Sequence, residues 1–160
     1  MLDQPAVLRQ ATAPSPADTD PDTYARAHAY DRMLESVRYE GAYPTRDKAH
    51  ERIQRVMAAL GRQVTGTARA ELADKLPLEA ALPFSSETPR TPARTAWGFV
   101  KDLAADSGVS PAVARWDTGA VLSAVARLAG PEVLARVLRD LPEGYALLFG
   151  QAELARPRGA

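Results

Sequence analysis

The sequence predicts an all-α fold, and three observations carry that prediction. The 160 residues include 31 Ala and 17 Arg, strong helix formers, against one Ile and 6% aromatic residues, so strand-forming side chains are sparse. Apolar residues recur at three- and four-residue intervals, and no stretch alternates as a half-buried strand would. Gly, Pro, Ser and Thr fall where helices of ordinary length would begin and end.

Residues 1–22 hold Pro5, Pro14, Pro16 and Pro21 among Ala, Thr, Ser and Asp, and read as a disordered arm whose one apolar patch is Leu2 with Ala6, Val7 and Leu8. A helix is predicted over 24–39, with Gly41 as a left-handed stop. The next spans 46–63, with Thr45 as N-cap and Ala49, Ile53, Val56, Met57 and Leu60 on one face. A third covers 67–75 with Ala68, Leu72 and Leu76 inward, and Pro77 stops it or starts a short helix. Pro83, Pro89 and Pro92 with a Ser/Thr cluster mark a break. Thr91 and Pro92 are placed to cap and open a helix ending near Gly108, and Ser110 with Pro111 repeats that start for a helix over 111–128. Gly130, Pro131 and Glu132 open a last helix, to 139 or 140. The 111–128 helix carries only Arg115, Asp117 and Arg127 as charges, which places it centrally, buried on most sides. Gly119 costs about 1 kcal/mol there relative to Ala, so a close helix crossing is expected beside it.

The chain also repeats itself. The segment from Leu76 to Phe84 aligns with that from Leu141 to Phe149 at an offset of 65, with five identities: Leu76/Leu141, Pro77/Pro142, Ala81/Ala146, Leu82/Leu147 and Phe84/Phe149. The same offset sets Thr45 on Ser110, Val56 on Val121, Met57 on Leu122 and Leu60 on Val125. Before the first loop it becomes 66, setting Met33 on Phe99, Leu34 on Val100 and Val37 on Leu103. The expected organisation is a tandem duplication of a three-to-four-helix unit packed as one compact helical bundle: a disordered arm over 1–22, units over 23–84 and 94–150, a Pro-rich linker over 85–93 and a tail over 151–160.

Composition excludes several functions. Without Cys there is no disulfide, thiolate metal site or cysteine nucleophile. No apolar run approaches the ~18 residues of a membrane span, and no basic region followed by an apolar core opens the chain. His28 and His50 lack a partner at metal-ligand spacing. No Gly-rich phosphate loop, nucleophile elbow or Ser/His/Asp arrangement is present, so no catalytic residue, cofactor or metal is expected. Net charge is −2 over 1–26, +1 over 27–84, 0 over 85–149 and +1 over 150–160, so neither unit offers a polyanion-binding field.

Two features invite a functional reading. Residues 103–116 resemble the helix-turn-helix of transcription regulators, but Val113 and Trp116 are one residue out of register and only Arg115 could meet a phosphate or base. Ordinary capping explains the likeness, and nucleic-acid binding through 103–116 is the alternative to the leading reading. Lys48, Arg52, Arg55 and Arg62 lie within about 80° on a helical wheel and form the candidate partner surface, although Glu51 and Arg55 are spaced to pair with each other. Trp97, Trp116, Tyr30, Phe99 and Tyr145 are expected in the core.

The duplicated pattern resembles the bacterial family of domain of unknown function 2267. The likeness rests on Tyr43-Pro44-Thr45-Arg46-Asp47-Lys48-Ala49 leading into Arg55-Val56-Met57-Ala58-Ala59-Leu60, and on Ala70-Glu71-Leu72-Ala73-Asp74-Lys75-Leu76-Pro77. In the second half it rests on Val121-Leu122-Ser123-Ala124-Val125 and on the stretch from Arg139 to Phe149. The resemblance implies a small cytoplasmic helical protein of duplicated units without established activity. The expected function is therefore a non-enzymatic protein–protein interaction or adaptor module, binding a protein partner or itself; nucleic acid and membrane are not expected partners.

Overall fold

A computed structural model describes residues 21–152. Among the described residues seven helices follow one another: α1 (Pro21–Glu40), α2 (Arg46–Gly61), α3 (Gly66–Lys75), α4 (Leu78–Ser85), α5 (Ala96–Ser107), α6 (Pro111–Asp140) and α7 (Tyr145–Leu148). Among the described residues there is no strand. α6 is broken at Gly130, whose φ of 78° and ψ of 163° separate segments 111–129 and 131–140. α1 takes in Pro21 and Asp22; the rest of the expected arm, with Leu2, Ala6, Val7 and Leu8, lies outside the described residues.

The caps explain most boundaries. Thr45 Oγ1 accepts from the Lys48 amide (3.2 Å) and Ser110 Oγ from that of Val113 (3.2 Å), each relieving an amide that the first helical turn leaves unbonded. α5 departs from the expectation, because its cap is Thr95, which accepts from the Gly98 amide (3.0 Å), and not Thr91. The backbone ahead of Thr95 is committed elsewhere: the Arg90 amide donates to Arg62 O (2.8 Å), the Arg94 amide to Gln63 Oε1 (2.7 Å), and Arg94 O accepts from Tyr145 Oη (2.8 Å).

Two further corrections have local causes. Gly41 does not supply the left-handed residue after α1; Ala42 does, at φ 52°. Gly41 is needed for space, since a Cβ there would sit 2.1 Å from the Tyr43 ring. Pro83 does not break the chain but lies inside α4. Proline cannot bond the carbonyl four residues back, Glu79 O, and Gln54 Nε2 of α2 donates to that oxygen instead (3.0 Å).

The first segment of α6 is the centre of the molecule. It buries Ala114, Ala120, Val121, Leu122, Ala124, Val125, Ala126 and Ala129, and α6 packs on α1, α2, α3, α5 and α7. The packing alternates between the halves of the chain. α1 lies on its neighbour α2 and also on α6, while α5 lies on its neighbour α6 and also on α2. Ion pairs follow the same exchange, Arg127 of α6 meeting Glu40 of α1 (3.6 Å) and Arg62, the C-cap of α2, meeting Asp106 of α5 (3.7 Å). Leu76 and Leu141 each end a helix in extended backbone (φ −95°, ψ 147° and φ −98°, ψ 152°). Each is followed by proline and a short helix running up to a buried phenylalanine, Phe84 or Phe149.

Gly119 is not at a helix crossing. A Cβ there would approach only the Arg115 guanidinium, at 3.0 Å, and the residue is half-buried. The tip of a long side chain can move aside, so Gly119→Ala is expected to stabilise the protein by roughly 0.5–1 kcal/mol through the lost entropy of the unfolded chain. Urea unfolding midpoints check this; a loss of stability would restore the crossing.

Candidate functional site

The four cations of the predicted stripe end in different surroundings. Lys48 stays exposed on the first turn of α2. Arg52 turns inward, its side chain 18% exposed, with Nη1 3.3 Å from Glu51 and Nε 3.2 Å from Asp117 Oδ2, the latter out of line for a hydrogen bond. Tyr43 Oη donates to the other Asp117 oxygen (2.5 Å), and its ring lies 5.9 Å from the Arg52 guanidinium carbon. Burial, then the hydrogen bond and the charge of Asp117, hold the Tyr43 phenol well above its ordinary range, so it remains a neutral donor. Arg55 pairs with Glu51 (2.7 Å), as their spacing requires, and reaches Ser107 O at the end of α5 (3.4 Å). Arg62 lies between Glu87 (3.4 Å) and Asp106 (3.7 Å).

Three of the four charges are thus engaged within the molecule, along the seam where α2 meets α4, α5 and α6. A helical wheel shows that the cations share a face; the carboxylates opposite Arg52 and Arg62 come from positions 25 to 65 residues away, which no local pattern reveals. Two open depressions flank the Arg62–Asp106 bridge. One, about 340 Å³, is lined by Gln54, Arg55, Ala58, Arg62, Pro83, Asp106 and Ser107. The other, about 170 Å³, holds Arg62, Arg90, Asp102 and Asp106 among its lining residues. Their cations stand beside carboxylates, which blunts any attraction for an anion. Among the described residues no three His, Asp or Glu side chains gather in metal-binding geometry.

Residues 103–116 form the end of α5, a turn at Gly108 (φ 67°) and the start of α6. Leu103, Ala104 and Ala114 are buried in the core, and Arg115 Nη2 donates to Leu147 O (3.3 Å), so the segment's one candidate for DNA contact is tied to α7. The tryptophans depart from expectation. Tyr30, Phe99 and Tyr145 are buried, but Trp97 and Trp116 are 60% and 58% exposed. The helical spacing that suggested burial describes the neighbours of each tryptophan and does not fix on which side of its helix the indole falls. Trp116 Nε1 donates to Gly41 O (2.9 Å), leaving the ring beside Val113, which is also exposed.

One residue with extensive polar contacts carries no sequence signal. Arg69 of α3 donates from Nη1 to Gly61 O and Val64 O (2.9 Å), and from Nη2 to Phe84 O (2.9 Å) and Glu87 O (2.7 Å). Its guanidinium also lies 4.9 Å from the centre of the Phe84 ring. It therefore closes the C-terminal ends of α2 and α4 together, where the helix dipoles favour a cation. Burial draws its pKa below the ordinary arginine value. Both histidines are engaged within the molecule: His50 Nδ1 of α2 with Tyr30 Oη of α1, and His28 with its ring centre stacked 4.2 Å from that of Tyr24.

The span that carries these features is shared more widely. Residues 30–148, from the middle of α1 to the end of α7, match a family described as an uncharacterized conserved protein (DUF2267). The chain belongs to the DUF2267 family. No curated protein matches it. The DUF2267 match covers both halves and the seam between them, including Tyr43, Arg52, Arg69 and Asp117. Among the described residues of this DUF2267 protein, no helix is long and apolar enough to cross a membrane.

Proposed function

We propose that this DUF2267 protein is a non-enzymatic, cytoplasmic adaptor that binds a protein partner through a helix face. The observation that carries the reading is the exposed apolar strip at the start of α6, where Val113 and Trp116 lie one turn apart. The indole N–H is already bonded to Gly41 O, so the exposed ring offers a partner mainly apolar area, the chemistry of an interface anchor. The engagement of Arg52, Arg55, Arg62 and Arg115 within the molecule supports a protein partner over nucleic acid, whose binding draws on free cations. A photo-crosslinking residue placed at Val113 in the native host is expected to give one discrete adduct that Trp116→Ala abolishes. Adducts no different from those of a crosslinker at exposed Lys101 would defeat the reading.

We further infer that α1–α4 and α5–α7 are copies of one unit. The exchange of ion pairs supports it: Arg62 and Arg127 are 65 residues apart, Glu40 and Asp106 are 66 apart, and these are the offsets of the sequence repeat. The matched ends at Leu76 and Leu141 support it as well. Superposing 28–84 on 94–149 tests the inference; dissimilar helix directions would overturn it.

A further inference from the structure

The ion pair at the centre of the seam, buried at Asp117 and half-buried at Arg52, joins two positions that the inferred repeat makes equivalent. Arg52 and Asp117 are 65 residues apart, so each residue faces its own counterpart in the other half. In a two-fold arrangement that is the property of a side chain on the axis, whereas off-axis contacts come in exchanged pairs, as Arg62–Asp106 and Arg127–Glu40 do. The two classes of contact differ in what they can distinguish. Each half carries both members of the off-axis pair, an arginine in or just after its second helix and a carboxylate at the end of its first, so a half paired with another copy of itself would keep those bridges. The axial position is different. Two first halves would bring Arg52 against Arg52, two second halves would bring Asp117 against Asp117, and only a first half against a second half joins opposite charges.

We propose that Arg52 and Asp117 are the pairing-specificity element of this fold, making the first half of the chain accept a second half and reject another first half. The proposal rests on the inferred duplication for the equivalence of the two positions. The site is suited to the role because it is mostly shielded from solvent. Asp117 is 5% exposed with its other oxygen held by Tyr43, and the Arg52 side chain is 18% exposed, so a like-charged replacement has little water and no free donor to relieve it.

The experiment uses the full chain. Arg52→Asp places two carboxylates on the axis and Asp117→Arg places two guanidinium groups there; each is expected to lower the thermal midpoint by roughly 10 °C. The exchanged variant carrying both substitutions is expected to regain at least half of that loss. The decisive arm mixes the two single variants, unfolds them together and refolds them, with native mass spectrometry as the readout. In a swapped heterodimer one seam regains the native Arg52–Asp117 pair and the other carries its reverse, so the heterodimer is expected to exceed either homodimer by roughly tenfold. Homodimers and heterodimer in statistical proportion, or monomers alone with unchanged midpoints, would overturn the proposal. Should the halves fail to superpose, the equivalence of the two positions falls and with it the rejection of like halves, and a heterodimer would then report only the Arg52–Asp117 charge pair; good superposition without a heterodimer leaves the duplication and overturns the pairing rule.

Discussion

Gly61→Ala is expected to destabilise the protein by about 3 kcal/mol, the upper end of the usual cost of overpacking a core. Gly61 is buried in the last turn of α2, where α4 crosses it, and a Cβ there would stand 2.1 Å from Phe84 O and 3.0 Å from Phe84 C. These are backbone atoms, so no rotamer change relieves the clash, and α4 as a whole must withdraw. Withdrawal would unseat the fully buried Phe84 ring and pull apart Gly61 O and Phe84 O, the oxygens that Arg69 holds together. Urea unfolding with an unchanged slope checks the value. A variant within about 0.5 kcal/mol of the native protein would show that the two helices have room to slide.

Arg69→Leu is expected to cost about 3 kcal/mol, since it keeps apolar bulk but strips hydrogen bonds to charged donors worth about 1.5–3 kcal/mol each, not additively. Gly61, Val64, Phe84 and Glu87 would lose one cationic donor group at once, at the C-terminal ends of two helices. Arg69→Lys is expected to recover only a minor part, because an ammonium cannot span both helix ends as the planar guanidinium does. Amide exchange at the ends of α2 and α4 is the sharper readout, with protection lost there before it is lost in α6. Equal loss throughout would mean that Arg69 acts on global stability and not as a local clasp.

Much of the fold is legible in the sequence wherever the cause is local. Thr45, Ser110 and Pro111 announce helix starts because a cap needs only an oxygen beside three or four consecutive amides. The scarcity of charge in 111–128 announces a central helix, since a helix apolar on most sides must be covered on most sides. Expectation fails where a partner comes from elsewhere in the chain. Thr91 is passed over as a cap because Arg62, Gln63 and Tyr145 bind the backbone around it, and Pro83 is tolerated because Gln54 satisfies the carbonyl it frees. Lys48, Arg52, Arg55 and Arg62 do share one side of α2 and its C-cap, but the charges of the three arginines are taken up by Glu51, Glu87, Asp106 and Asp117, while Lys48 stays exposed.

The sequence by itself therefore determined the helical class and the order of the main helices, because propensity, capping and apolar spacing act within a few turns of chain. Tertiary structure alone decided which side chains remain available to a partner. It turned Arg52 inward on Asp117, drew Arg62 to Asp106, left Trp97 and Trp116 in solvent, and made Gly61, not Gly119, the close approach. The physical reason is that charge pairing and close packing depend on distance in space, and the helices that meet at this seam bring together residues far apart in the chain.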